Sequence, residues 1–342
     1  MLALGACSQR RAVEARDVLS LATDERGRFV RLQLRDVWGT GAARAWAVGD
    51  DGRIVRWSGA LWVLERFRAP VGLHGVWASS NDDAWAVGER GVIVHWDGTS
   101  WSQVASGVTV ALHSVWGASR ESVVVAGDGG VILRWDAAQG AFVRLASGVD
   151  GALFGVSGTG AEDVWVVGVR GTVLRCGRAS CRAVASGTTA TLRGVWLASA
   201  TDGWVVGEPD EATDGPLANA AMLRWNGTTL VRVESATHEP LLDVWGSGVS
   251  DVWAVGHNFG RNYDGARRQI VHWDGNAWAA RSAGASGWYA GVWGDGSGRV
   301  WAVGCCEAII VWENAAWMGV TRGSMLIPPP PPPVDSRLMK RR

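Results

Sequence analysis

The residues best suited to chemistry in this chain are its cysteines, because a thiol can form a disulfide, bind a metal or act as a nucleophile. Cys176 and Cys181 lie in the stretch LRCGRASCRAV with four residues between them, whereas Cys305 and Cys306 are adjacent. We predict a disulfide between the first two. A bridge between neighbours is strained, because adjacent α-carbons lie about 3.8 Å apart. Whether Cys305 and Cys306 are bridged or are two free thiols stays open.

The acidic side chains form no recognisable catalytic or metal-binding motif. HExxH, GxSxG and a phosphate-binding loop are all absent from the sequence. The chain has two tyrosines, Tyr263 and Tyr289, and neither lies in a motif typical of a tyrosine nucleophile. We therefore predict no catalytic residue, no cofactor and no metal. Most aspartates are interpreted as turn residues that precede strands, namely Asp36, Asp82, Asp163, Asp202 and Asp251.

Four of the six histidines occupy positions at which other copies of the repeat described below have arginine. His95 and His272 share one such position, and His74 and His113 share another. A position that accepts both residue types is more typical of a half-exposed strand face than of a ligand site.

These residues are carried by seven copies of one repeat, approximately LxGVWGxSxxDVWAVGxxGxIxHWDGxxWxxVxSG. Each copy has four short β-branched or aromatic runs separated by Gly, Asp, Asn and Ser, which predicts four strands joined by tight turns. Four-stranded units of about 40 residues are typical of propeller blades. We predict an all-β fold, a seven-bladed β-propeller of four-stranded blades, with strands A to D running outward from a central channel. A parallel β-helix is the alternative, but its repeats are shorter.

Tryptophan supports the propeller, since 23 tryptophans stand beside only two tyrosines. Every tryptophan except Trp288 falls on a repeat position. A wide indole can fill the wedge between neighbouring blades and bury a large area. Cys176 and Cys181 replace Trp96 and Trp101 in register, so they should face each other across the outer hairpin and clamp it.

The order of the repeat resembles the Asp-box, or BNR-type, propeller repeats, including those of photosystem II assembly-factor-like proteins. The segments 96–101 and 273–278 are contracted versions of the turn between the third and fourth strands, which in that family carries Asp, Gly and Trp in a related order. The resemblance covers residues 33 to 320. It implies the fold and a binding or assembly role, or, as the alternative, a glycan-active hydrolase or lyase.

The predicted domain organisation has four parts. Residues 1–7 are a remnant lipoprotein signal, 8–27 a linker, 28–320 the propeller and 321–342 a disordered, Pro-rich basic tail. The segment 28–32, RFVRL, is similar to the fourth strand of the third copy, AFVRL. It is a candidate outer strand of the last blade, where it would clasp the ring.

Function is expected where the copies depart from their consensus, mainly in loops. Copies five and six carry insertions at 208–216 and 257–268, and copy seven has its Cys-Cys pair at the same turn. These B–C loops emerge on the same face as the D–A connections. We predict a contact surface for a protein or a glycan on this face, formed by His257, Arg261, Tyr263, Arg267, Trp288, Tyr289, Asp210 and Glu211. The acidic residues of the 208–216 loop lack EF-hand spacing and are interpreted as solvated.

The stretch LGAC, which ends at Cys7, resembles the lipobox of bacterial lipoproteins, in which the cysteine is acylated. A disulfide likewise indicates an extracytoplasmic compartment. The formal charge is zero and no segment is long and apolar enough to span a bilayer, so nucleic acid is not an expected partner and the membrane is reached only through the lipid. The prediction is a monomeric, non-catalytic lipoprotein of the cell envelope, in the outer membrane, the periplasm or at the surface. A structural repeat with no specific partner is a third possibility.

Overall fold

The computed structural model of the chain describes residues 21–23, 29–210, 215, 218–257, 270–281, 288–305, 309–319 and 325–326. Seven antiparallel sheets, each built from four consecutive strands, follow one another along the sequence and form a ring. This arrangement confirms the seven-bladed, all-β propeller. No helix in the described part of the chain is long and apolar enough to cross a membrane.

The four strands of each blade follow one another along the chain as strands A, B, C and D. Blade 1 contains Leu34–Gly41, Arg44–Gly49, Arg53–Trp57 and Trp62–Arg68. Blade 2 contains Leu73–Ser80, Asp83–Gly88, Ile93–Trp96 and Trp101–Val104. Blade 3 contains Leu112–Ser119, Ser122–Gly127, Ile132–Asp136 and Ala141–Leu145. Blade 4 contains Leu153–Gly160, Asp163–Gly168, Val173–Cys176 and Cys181–Ala183.

Among the remaining three blades, blades 5 and 6 have the longer B–C connections. Blade 5 contains Leu192–Ser199, Asp202–Pro209, Ala220–Trp225 and Leu230–Arg232. Blade 6 contains Leu241–Gly248, Asp251–Gly256, Ile270–Trp273 and Trp278–Ala280. Blade 7 contains Tyr289–Gly294, Val300–Gly304, Ile309–Glu313 and Ala316–Gly319. In blades 1 to 3 the B–C connection is a single 3₁₀ turn, at Asp50–Gly52, Glu89–Gly91 and Asp128–Gly130.

Strand A of each blade lies beside strand A of the next, so these strands line the central channel. Their close approach explains a glycine in strand A of blade 7. A β-carbon added to Gly291 would lie 2.7 Å from the α-carbon of Asp36 in blade 1, which is closer than non-bonded carbons can pack. The small residue lets the last and first blades meet.

Tryptophan fills the wedges between blades, as its spacing predicts. The strand-B indole of one blade packs against the aromatic pair on strands C and D of the following blade. Ring centroids lie 5.0 Å apart for Trp85 and Trp135, 4.9 Å for Trp165 and Trp225, 5.0 Å for Trp204 and Trp273, 5.0 Å for Trp253 and Trp312, and 5.9 Å for Trp301 and Trp57. Five of the seven junctions therefore repeat one aromatic contact.

The N-terminal segment 28–32 does not form the predicted outer strand of the last blade. Phe29–Arg31 pairs with Leu21–Thr23 in a separate two-stranded sheet and is not a strand of blade 7. Met325–Leu326 instead pairs in parallel with Trp62 and Val63, adding a fifth strand to the outer edge of blade 1. The additional strand thus comes from the C-terminal side. The lipobox residues 1–7 and most of the predicted linker and tail lie outside the described residues.

Candidate functional site

A cavity of 790 Å³ lies at the end of the central channel where the B–C and D–A connections emerge. Its wall is formed mainly by the second residue of each strand A. In chain order these residues are Arg35, His74, His113, Phe154, Arg193, Leu242 and Ala290. The repeat fixes the backbone at this position in every blade, whereas the side chain varies, so the blades together present a mixed surface of cations, imidazoles and apolar groups.

One side of the cavity mouth is an aromatic and cationic stack. The ring of Trp288 stacks on that of His257, with centroids 4.7 Å apart and planes inclined by 16°. The guanidinium carbon of Arg35 lies 5.1 Å from the centroid of the Trp288 ring, within cation–π range. The stack joins the D–A connection before blade 7 to strand A of blade 1 and to the B–C connection of blade 6.

The opposite side repeats this chemistry with other residues. The rings of His74 and His113 stack at 5.4 Å, and His113 lies 4.9 Å from the ring of Phe154. The guanidinium carbon of Arg193 lies 4.1 Å from the Phe154 centroid. Flat rings and guanidinium groups therefore line both sides of the mouth.

Arg35, Arg193 and His113 at the mouth are each paired with an acid at the end of strand B or in the B–C connection. Arg35 Nε donates to Asp50 at 2.8 Å, Arg193 Nε donates to Glu208 at 3.0 Å, and His113 Nε2 lies 2.8 Å from Asp128. The two arginine–carboxylate ion pairs are part-exposed and contribute little to stability. The main effect of the three contacts is to hold the guanidinium and imidazole planes in fixed orientations.

Two histidines at the mouth are neutral at pH 7. Burial lowers the pKa of His257 to about 4, and the positive charges of Arg35 and Arg193 act in the same direction. Burial is also the largest cause of the lowered pKa of His74, followed by the charge of His113. Both rings can therefore accept a hydrogen bond or stack without adding charge.

Asp36 and Asp243 line the same cavity one residue further along strand A. Asp36 accepts hydrogen bonds from its own neighbour Val37 and from Val76 of blade 2, each at 2.8 Å. Asp243 does the same with Val244 and with Val292 of blade 7, also at 2.8 Å. Each carboxyl thus joins strand A of its blade to strand A of the next. The prediction that Asp36 is a turn residue before a strand is wrong, because it lies inside strand A.

Burial dominates the electrostatics of this carboxyl pair. It raises the pKa of Asp243 to about 7, although the two backbone N–H groups pull the pKa down. It also raises the pKa of Asp36 well above its ordinary value, and the negative charge of Asp243 is the second cause. Both oxygens of each group are already occupied by backbone donors, which favours a structural role.

The strand-B acids support the wedge tryptophans. Asp83 lies 2.8 Å from His95 Nε2, and the His95 ring lies 4.1 Å from that of Trp85. Ser79 donates its hydroxyl to Asp83 and not to the imidazole. The three groups therefore lack the contact between nucleophile and base that hydrolytic triads require.

The same arrangement recurs in blade 6. Asp251 lies 2.7 Å from His272 Nε2, and that ring lies 4.1 Å from Trp253. Within the described ranges no group of three or more His, Cys, Asp or Glu side chains is placed to hold a metal ion. The paired residues are supports for the inter-blade indoles.

The structure brings two of the predicted site residues, His257 and Trp288, together at the cavity mouth. Tyr289 is instead fully buried, since it takes the strand-A position held by leucine in the other blades. It therefore belongs to the core and not to the contact surface predicted for it. The remaining predicted contacts and the second member of the vicinal cysteine pair lie outside the described residues, namely Glu211, Arg261, Tyr263, Arg267 and Cys306; Cys7 does as well.

Asp210 also differs from its prediction. Only 3% of it is exposed, and its carboxylate accepts hydrogen bonds from the Thr188 hydroxyl and from the Thr189 N–H and hydroxyl. It fixes the D–A connection that leads into blade 5. A solvated acidic loop is therefore the wrong description of this residue.

The predicted disulfide between Cys176 and Cys181 is present, with α-carbons 4.0 Å apart. The two residues are directly opposed across the C–D hairpin of blade 4. Trp96 and Trp101 are opposed in the same way in blade 2, with ring centroids 5.9 Å apart. The replacement of an indole pair by a covalent bridge is confirmed.

Comparison with known proteins identifies the fold and no closer relationship. No protein-family model and no curated protein matches the chain. Among solved structures, YCF48 bound to a D1 peptide aligns with a TM-score of 0.64 and 12% identity, covering 88% of this chain and 96% of that one. The WD40 propeller domain of Doa1 aligns with 0.64 and 11%, covering 86% and 95%.

A second YCF48 structure, from Cyanidioschyzon merolae, aligns with a TM-score of 0.63 and 16% identity, covering 82% of this chain and 95% of that one. Identities this low establish the propeller fold alone. The Asp-box resemblance of the repeat stays a prediction.

Proposed function

We propose that the protein is a non-catalytic binding module that takes a short extended segment of a partner protein at the mouth of its central channel. The observation that carries the proposal is the cavity of 790 Å³ bounded by two aromatic and cationic stacks. Its volume lies in the range of specific ligand pockets. Aromatic and arginine side chains are also the residue types that dominate binding energy at protein interfaces.

The arrangement suits a polypeptide for a specific electrostatic reason. The cations Arg35 and Arg193 are each matched by an acid, so the mouth presents donors and acceptors without a large net charge. A peptide backbone offers the complementary groups, C=O for the guanidinium N–H and N–H for the carboxylate oxygens. Its side chains can pack on Trp288 and Phe154. The structure of YCF48 bound to a D1 peptide supports the proposal by showing that a related fold accommodates a peptide.

The alternative, a glycan-active hydrolase or lyase, needs a carboxyl group that exchanges a proton with a substrate. Asp36 and Asp243 are the cavity carboxyls with raised pKa values. Both of their oxygens accept backbone hydrogen bonds within the ring. This engagement favours binding over catalysis.

We also propose that the protein acts in the bacterial cell envelope, anchored through a lipid on Cys7. Two independent features support this location. LGAC resembles a lipobox, and the disulfide of blade 4 is the type of bond that persists in oxidising compartments. A partner would then be another envelope protein.

The binding proposal is tested by selection from a displayed library of random peptides on three purified full-length proteins. These are the wild type, Trp288→Ala, and the control Val231→Ser on the exposed outer strand of blade 5. We expect a set of peptides enriched on the wild type and the control but not on Trp288→Ala. The proposal is overturned if no peptide is enriched on the wild type, or if the same peptides are enriched on all three proteins.

A further inference from the structure

The junction between blades 3 and 4 lacks the aromatic contact found at its neighbours. The strand-B position that holds tryptophan in blades 2 and 4 is Val124 in blade 3. The facing hairpin of blade 4 carries the Cys176–Cys181 disulfide. Val124 and both cysteines belong to one apolar cluster. Indoles are thus missing from both sides of the same interface, and the compact bridge packs where aromatic rings pack elsewhere.

The polar pair beside this interface is incomplete as well. Strand C carries a base in six blades, and in five of them a carboxylate bonds it: Arg56 with Glu65, His95 with Asp83, Arg175 with Asp163, Arg224 with Asp202 and His272 with Asp251. In blade 3 the base is Arg134, and Ser122 takes the place of the strand-B acid. Across the described ranges no carboxylate forms an ion pair with Arg134.

Two backbone carbonyls of the next blade accept hydrogen bonds from the Arg134 guanidinium and fix its position. Its Nη1 donates to the carbonyl of Gly177 at 2.8 Å, and its Nη2 donates to the carbonyl of Ala161. In Arg175 of blade 4 the donor to the strand-B acid is Nε, and Arg134 has no such acceptor among the described residues. The Ser122 hydroxyl is buried and has no hydrogen-bond partner in this part of the chain. The Nε–H group of Arg134 and the hydroxyl of Ser122 therefore have no hydrogen-bond partner among the described residues at the position of the missing acid.

A cleft of 570 Å³ opens at this position on the face of the ring that carries the A–B and C–D turns. Arg144 and Arg178 join Arg134 among the residues that line it. Arg178 also pairs with Glu162 at 2.5 Å. The positive charge is concentrated where the repeat elsewhere supplies its own carboxylate.

The other side of the cleft has acceptors. Asp136 accepts hydrogen bonds from the backbone and side chain of Gln139, and Glu121 lies exposed in the same wall. These carboxylates repel a polyacidic peptide, but they can accept hydrogen bonds from hydroxyl groups. Trp135, which lines the cleft and is half-buried, adds part of an aromatic surface.

We propose that this cleft is a second binding site and that its ligand is an acidic sugar, a hexuronate unit. Its carboxylate would take the place of the missing strand-B acid, between Arg134 and Ser122. Its hydroxyl groups would face Gln139, Glu121 and Asp136. The site is separate from the channel mouth and does not depend on the function proposed there.

The decisive variant is Ser122→Asp, which supplies the strand-B acid that blades 2, 4, 5 and 6 carry. Since Asp163 and Arg175 show that the repeat accepts this pair, the variant should fold with an unchanged or higher melting temperature. Glucuronate is titrated against the wild type by heteronuclear NMR or calorimetry, with glucose as the neutral control. Arg170→Gln, which removes an exposed ion pair with Asp150 outside the cleft, is the matched protein control.

We expect glucuronate and not glucose to bind the wild type and Arg170→Gln. Ser122→Asp should weaken binding at least about tenfold, the loss of one or more hydrogen bonds to a charged group. Arg134→Gln should weaken it similarly and provides a second test. The proposal is overturned if glucuronate does not bind the wild type, if neither variant changes its affinity, or if tetraglutamate binds in the cleft while glucuronate does not.

Discussion

Arg35 of blade 1 lies over the ring of Trp288, the residue that leads into blade 7, with 5.1 Å between guanidinium carbon and ring centroid. This contact lies where the two ends of the repeat array meet. Trp288 is the one tryptophan outside the repeat pattern, so its ring is not needed to fill a wedge between blades. The contact places an aromatic surface at the channel mouth, and His257 extends it.

The substitution Trp288→Ala should therefore weaken binding and leave stability nearly unchanged. We expect affinity for a mouth-binding peptide to fall by about 2 kcal/mol or more, as for a buried aromatic anchor. The melting temperature should change little, because Trp288 is half-buried and lies at the rim. Calorimetric titration and a thermal melt of the same preparation measure both quantities. A large loss of stability with unchanged affinity would assign this ring to the fold.

Trp204→Leu should behave in the opposite way. Trp204 is fully buried and lies 5.0 Å from each of the rings of Trp273 and Trp278 in blade 6. Truncation leaves a cavity between two blades, and we expect a loss of about 3 kcal/mol in the free energy of unfolding. Denaturant unfolding monitored by fluorescence measures it. A loss below about 1 kcal/mol, typical of a surface position, would contradict the wedge role.

Removing the Cys176–Cys181 bridge should cost about 2 kcal/mol, the chain-entropy value for a short closed loop. The test is the double variant Cys176→Ser/Cys181→Ser, melted with and without reductant beside the wild type. Reductant should lower the melting temperature of the wild type toward that of the variant and leave the variant unchanged. If reductant has no effect on the wild type while mass spectrometry shows the bond reduced, the bridge does not stabilise blade 4.

The raised pKa values of Asp36 and Asp243 predict that the free energy of unfolding depends on pH. An unfolded aspartate has a pKa of about 3.9, whereas burial raises the pKa of Asp243 to about 7 in the folded protein. The folded state binds the Asp243 proton more tightly than the unfolded state does, so protonation of Asp243 stabilises the fold. This stabilisation is complete below about pH 4 and is lost as the pH rises through about 7. Arg35, Arg193, His74 and His113 face the same cavity and are present in both proteins compared below.

Asp243→Asn cannot ionise, and its amide retains one acceptor for the two N–H donors. We expect the difference in melting temperature, variant minus wild type, to become more favourable to the variant between about pH 4.5 and 7.5. Differential scanning calorimetry across this range provides the measurement. A difference that stays constant with pH would show that Asp243 has an ordinary pKa.

The fold could be predicted from the sequence because its signal is repeated. Four-strand periodicity recurs in seven copies, and tryptophans such as Trp85 and Trp253 mark the same inter-blade contact each time. The disulfide could be predicted for the same reason, since the cysteines replace an opposed pair in register. Aligning the copies shows which residues face each other in the fold, and a single segment of the sequence does not show this.

The candidate site was harder to predict because its residues look like ordinary variation within the repeat. Arg35, Phe154 and Arg193 occupy one strand-A position whose side chains meet only when the ring closes. Tyr289 was misplaced for a related reason, because an aromatic residue in a buried leucine position resembles a surface anchor when it follows Trp288. Asp210 bonds Thr188 and Thr189 in the preceding connection, about twenty residues away in sequence.

The measurement that tests the central claim most directly is the dissociation constant of one selected peptide for three proteins: wild type, Trp288→Ala and Phe154→Ala. Trp288 packs on the lining residues Arg35 and His257, and Phe154 lines the opposite side of the mouth. If the partner segment lies across the channel, each substitution should weaken binding about thirtyfold or more, while the control Val231→Ser leaves it unchanged. Equal affinity for all of these proteins would show that the channel mouth is not the binding site.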